Sequence, residues 1–106
     1  MGKYALVDKI LKKVPSATKS WANLEEVPEG FIITPKAEPR WQHLVSGYTI
    51  IDGMESFAEF NVKHEDADFR KVAREISREQ WGKIKITNKI VSAIVQHGAF
   101  GEETYQ

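Results

Sequence analysis

The stretch HLVSGYTIIDGMESFAEFNV, residues 43–62, decides how this chain is read. Asp52-Gly53 sits at its centre, between two runs rich in apolar residues. An Asp-Gly pair in that setting predicts a β-hairpin, because a two-residue type I′ turn needs two successive residues at positive φ. Counting outward from the turn pairs Ile51 with Met54, Thr49 with Ser56, Gly47 with Ala58, Val45 with Phe60 and His43 with Val62. Those residues share one mostly apolar face, which is the expected core face. The opposite face pairs Tyr48 with Phe57 and carries Glu55 and Glu59 outward.

Upstream of the hairpin, residues 31–34 (Phe-Ile-Ile-Thr) read as a third strand. Pro35 has no N–H for a ladder, so that strand is expected at an edge. Pro28-Glu29-Gly30 is turn chemistry that leads into it. Residues 15–30 otherwise predict only a short turn capped by Ser20, with Trp21 and Leu24 pinned to the core.

Helices are expected on both sides of this β region. Tyr4, Val7, Leu11 and Val14 follow a 3.6-residue period across residues 3–14, and Leu6 and Ile10 widen the stripe. Pro15 is expected to stop this helix. Glu65, Asp66 and Asp68 mark the start of a second helix that buries Phe69, Val72, Ala73 and Ile76 and ends by Gly82. A last helix starts at Thr87, buries Ile90, Val91, Ile94 and Val95, and ends at Gly98. The predicted class is therefore α+β, a small antiparallel sheet of about three strands with an N-terminal helix and two C-terminal helices. Residues 1–100 form the expected single domain and 101–106 a flexible tail.

The 106 residues contain no cysteine, which excludes disulfides, thiolate metal sites and cysteine nucleophiles and suits a reducing, cytoplasmic setting. Neither an apolar leader nor a run of membrane-spanning length is present, so no membrane partner is expected. The formal charge of zero conceals a segregation. Residues 1–20 hold five lysines against Asp8, residues 21–68 hold ten acids against three bases, and residues 69–98 hold seven bases against Glu75 and Glu79. The helical ends are basic and the middle is acidic.

No catalytic constellation is apparent. His43 falls on the expected core face, His97 suits a helix C-terminus, and His64 with its following acids fits a helix cap better than a cation loop. No nucleophile elbow or phosphate loop occurs. Neither an enzymatic activity nor a metal, cofactor or small-molecule substrate is expected.

Binding is the expected role. Arg70, Lys71, Arg74, Arg78, Lys83, Lys85 and Lys89 supply candidate phosphate contacts, with Lys9, Lys12 and Lys13 as further cations. The helix–Gly82–helix arrangement would place the last helix in a groove, with Asn88, Lys89, Ser92 and Gln96 facing the bases. The expected partner is therefore nucleic acid, or a complex that handles it. The alternative is a protein-interaction module: a small adaptor, inhibitor or assembly subunit, including one of a virus or mobile element. Trp21, Trp41, Tyr48, Phe57 and Trp81 would be its interface anchors, and an open strand edge would allow a homodimer.

Overall fold

The computed structural model describes residues 2–105. Met1, where the expected domain begins, and Gln106, the last residue of the expected tail, lie outside the described residues. The elements run α1 (Lys3–Thr18), β1 (Ala22–Val27), β2 (Gly30–Pro35), β3 (His43–Ser46), α2 (Gly47–Asn61), α3 (Ala67–Ser77), a 3-10 turn (Trp81–Lys83) and α4 (Asn88–Phe100). The protein is α+β, with a three-stranded antiparallel sheet in the order β1-β2-β3.

The Asp52-Gly53 hairpin does not exist. Those two residues lie inside α2, and the three strands are 22–27, 30–35 and 43–46. The physical reason lies in a second periodicity of the same stretch. Ile50, Gly53, Met54, Phe57, Ala58 and Asn61 are buried, which is the i, i+3, i+4, i+7, i+8, i+11 stripe of a helix. Tyr48, Asp52, Glu55, Glu59 and Phe60 are the exposed residues of the helix. At the N-terminus of α2 the Ser46 N–H donates to Thr49 Oγ1 at 3.1 Å, satisfying the backbone where the strand gives way to helix. Only residues 43–46 of the expected hairpin are strand, and they pair with β2.

The tight hairpin of this sheet is instead at Pro28-Glu29, between Val27 and its partner Gly30. Strand β2 is central rather than an edge. Pro35 is its last residue, and the pairing is continued by the Lys36 N–H, which donates to Trp21 O at 2.8 Å. Leu24, Ile33 and His43 form one inward row; in the next, Phe31 and Val45 face the core while their β1 neighbour Glu26 is exposed. Ile32 and Leu44 lie on the outer face of the sheet.

Helix α1 runs three residues past Pro15, to Thr18. An internal proline costs a helix about 3 kcal/mol. Here Val14, Ala17 and Thr18 are buried around it, and Thr18 Oγ1 donates to Val14 O at 2.7 Å, so tertiary packing holds the last turn. Helix α4 is the centre of the molecule and packs on α2, α1 and β3. It passes through Gly98 and stops at Gly101, which takes a φ of 79°. Helix α3 packs on α2.

Residues 103–105, expected as part of a loose tail, are tied to α4. Gln96, 1% exposed, accepts the N–H groups of Thr104 and Tyr105 through Oε1, both at 2.6 Å, and donates through Nε2 to Tyr105 O at 2.8 Å. The Tyr105 ring stacks on Trp21 at 5.0 Å. Trp21 also donates from Nε1 to Ser92 Oγ at 2.9 Å.

Candidate nucleic-acid interface

Helix α3 begins where the acids predicted it. Asp66 is the N-cap, and its Oδ1 accepts the N–H groups of Asp68 at 2.8 Å and Phe69 at 3.4 Å. These bonds, led by that from Asp68, hold its carboxyl below the usual carboxylate range, and Lys89 adds to the effect. His64 accepts the Asp66 N–H through Nδ1 at 2.9 Å and stacks on Phe69, which makes it part of the cap.

The buried stripe of α3 turns Lys71, Arg74 and Arg78 outward, at i, i+3 and i+7. The helix then closes with Glu79 in the left-handed region at φ 54°. Glu79 N–H donates to Ile76 O at 3.0 Å and Gln80 N–H to Glu75 O at 2.8 Å. That is the paired closure of a Schellman turn, with glutamate where glycine is usual. The expected stop at Gly82 is thus made earlier, at Glu79. The turn sends the chain back, and Gln80 and Lys83 arrive beside the α3 cations.

The result is an open hollow of about 490 Å³ lined by Lys71, Arg74, Glu75, Arg78, Gln80 and Lys83. Among the described residues the salt bridges are Lys89–Asp66 and His97–Glu103, so these four cations have no carboxylate partner within bonding distance. Lys71 and Glu75, one turn apart on the same helix, do not form a salt bridge. Glu75 is only 7% exposed, and its Oε1 is buried with no hydrogen-bond partner.

The other expected phosphate residues lie elsewhere. Arg70 donates from Nη1 to the carbonyls of His64 at 2.8 Å and Glu65 at 2.9 Å, so it braces the α3 cap. Lys89 pairs with Asp66 at 3.4 Å. Lys85 is exposed in the segment between the 3-10 turn and α4. Helix α4 offers no recognition face, because seven of its residues are buried and Gln96 is committed to the C-terminal segment. The helix-turn-helix expectation fails for that reason.

The expected protein-interface anchors divide. Phe57 is fully buried and Trp21 nearly so, and both are core residues. Trp81 is half-buried against the core, with the Lys3 ammonium 5.7 Å from its ring. Trp41 and Tyr48 are exposed, at 56% and 83%, as is Phe60 at 66%.

A relay that the sequence reading missed links Ser56 Oγ to His97 Nδ1, and His97 Nε2 to Glu103 Oε2, each at 2.9 Å. It has the residue types of a hydrolytic triad. Ser56, however, lies in the middle of α2, where the backbone N–H groups are committed to the helix and none is left to hold an oxyanion. Asn61 donates to the same Glu103 oxygen at 3.3 Å. The relay fastens the C-terminal segment to the body.

Among the described residues no helix is long and apolar enough to cross a membrane. No protein-family model, curated protein or solved structure matches the chain significantly.

Proposed function

We propose that this is a non-enzymatic binding protein of the cytoplasm that engages nucleic acid through the α3 face. The supporting observation is the set of four unpaired cations, Lys71, Arg74, Arg78 and Lys83, around one open hollow. Surface cations usually sit near acids. A convergent group with no carboxylate bonded to it is the electrostatic footprint of a phosphate partner. The absence of cysteine supports the reducing compartment.

The test is fluorescence anisotropy with labelled oligonucleotides over a range of salt. Binding that weakens with salt, at a log–log slope of down to about −3 for four phosphates on a single strand, is the expected result. Arg74→Glu combined with Arg78→Glu should abolish it. No binding at low salt would refute the reading.

A second reading has its own support on α2. Tyr48, Asp52, Glu55 and Glu59 lie exposed along that helix with Phe60 at its end, an aromatic and acidic face suited to a protein partner. Loss of a recovered partner or of a dimer in Tyr48→Ala would favour it, and a strictly monomeric, partner-free protein would remove it.

A further inference from the structure

A second and larger hollow, of about 670 Å³, lies where the end of α1, the α3 cap, α4 and the C-terminal segment meet. Small-molecule sites have volumes of this order. Buried Ala17, Phe69 and Ala93 give it apolar walls. Its free polar groups are set in one sense. The Ser92 oxygen accepts Trp21 Nε1–H at 2.9 Å and Gln96 Nε2–H at 3.1 Å, which uses both lone pairs and leaves the hydroxyl proton to be donated. His64 accepts the Asp66 N–H through Nδ1, so its ring proton sits on Nε2 and is also left to donate. Asn88 accepts the Ser16 hydroxyl through Oδ1 at 3.3 Å and keeps both amide protons. Lys19 stands exposed on the same wall without a carboxylate partner. The acids nearby are engaged already: Asp66 caps α3 and meets Lys89, and Glu103 meets His97 and Asn61. Glu65, an exposed residue, is the remaining acid of the lining.

We propose that this hollow binds a small organic anion, whose carboxylate or phosphate group is taken up by Ser92, His64 and Asn88 with Lys19 as the counter-charge. An ionised oxyanion brings acceptors to a wall whose unspent capacity is to donate. Hydrogen bonds to an ionised acceptor are also the stronger kind. A neutral polyol brings donors as well as acceptors, and those donors would find few free partners here. Ser92 and His64 are half-buried and Asn88 and Lys19 exposed, so a ligand can reach all of them. The apolar walls suit the carbon skeleton of such a ligand. The site stands apart from the α3 cations and does not depend on the nucleic-acid reading. No reaction is implied: the anion is a ligand and not a substrate.

The experiment titrates the full chain with citrate, ribose 5-phosphate and uncharged ribose, followed by calorimetry and by the Trp21 indole N–H signal in NMR. That proton is bonded to the Ser92 oxygen, so a ligand on the Ser92 hydroxyl shifts it. Saturable binding of citrate or of ribose 5-phosphate, with that shift and with no binding of ribose, is the expected result. Which of the two anions binds separates a carboxylate ligand from a phosphate one. Asn88→Asp keeps the oxygen that Ser16 uses and puts a negative charge where the amide donated. It should weaken binding by roughly tenfold or more, in line with the loss of one bond to a charged group. Lys19→Gln should weaken binding and reduce its salt dependence. Arg74→Glu combined with Arg78→Glu should leave it unchanged, because those cations line the other hollow. The proposal would be overturned by no saturable binding of either anion at millimolar concentration, or by equal binding of ribose. Anion binding that survives Asn88→Asp, or that is lost only in the arginine variant, would overturn it as well.

Discussion

Gly53 on α2 meets the backbone carbonyl of Ile94 on α4 so closely that a β-carbon at position 53 would fall on that oxygen. Gly98 on α4 is held in the same way against the Thr49 carbonyl of α2. The two helices thus cross with a glycine from each pressed on the backbone of the other. Gly53→Ala and Gly98→Ala should each destabilise the fold by about 2 kcal/mol. The backbone shift that overpacking forces costs 1–3 kcal/mol or more and outweighs alanine's helix propensity. Urea denaturation measures this. A raised midpoint would mean that the crossing is looser than described.

Glu79 pays a conformational cost at the end of α3. A non-glycine residue at φ 54° is disfavoured by roughly 1 kcal/mol. Glu79→Gly should therefore raise stability by about that amount, less what glycine adds to the entropy of the unfolded chain. Thermal melting checks it. A lowered melting temperature would mean that the glutamate side chain contributes more than the turn geometry costs.

The Asp66 cap makes stability pH-dependent. Hydrogen bonds from Asp68 and Phe69 and the nearby Lys89 hold its folded-state pKa below the unfolded value. A depressed carboxyl stabilises the fold above its unfolded pKa, and that contribution is lost as pH falls through the folded value. Asp66→Ala should lower the melting temperature at pH 7. The gap from wild type should narrow as pH drops below about 4, where the unfolded carboxyl begins to protonate. A gap of constant size across that range would contradict the assignment.

Gln96 is the anchor of the C-terminal segment. Its side chain holds Thr104 and Tyr105, and Tyr105 covers Trp21. Gln96→Ala should cost roughly 2 kcal/mol, because it strips bonds from groups that are partly buried. It should also speed hydrogen exchange at the Thr104 and Tyr105 amides and shift Trp21 emission to the red. Unchanged protection of those amides would show that the segment is held by other contacts.

Much of the helical part of the fold was legible in sequence. The cap at Asp66 and the cap at Thr87, whose Oγ1 accepts the Ile90 N–H at 3.3 Å, both lie where local chemistry predicts. The errors have a common cause: tertiary packing overrode a local signal. Gly53 carries the turn signal of Asp-Gly, yet its role is to admit a neighbouring helix, which no local pattern reveals. Strand β1 was missed because Asn23, Glu25 and Glu26 face solvent, leaving too few apolar residues to register as a strand. At the site, helical spacing put Lys71, Arg74 and Arg78 on a basic ridge, but it also counted Arg70, which turns to the α3 cap instead. Lys83 was expected among the phosphate contacts, but its place beside the α3 cations was not legible, because it depends on a left-handed turn at a glutamate. The unpartnered state of Glu75 becomes visible only when its surroundings are assembled.

The helical placement of Asp52-Gly53 also bears on how the protein ages. Asp-Gly pairs are the usual sites of succinimide and isoaspartate formation, because the glycine amide nitrogen can attack the preceding side-chain carboxyl. Inside α2 that nitrogen is bound into the helix ladder, and the backbone cannot reach the geometry of attack. Chemical damage at this pair should therefore track opening of the α2–α4 crossing, and the rate of isoaspartate accumulation would serve as a slow clock of local unfolding.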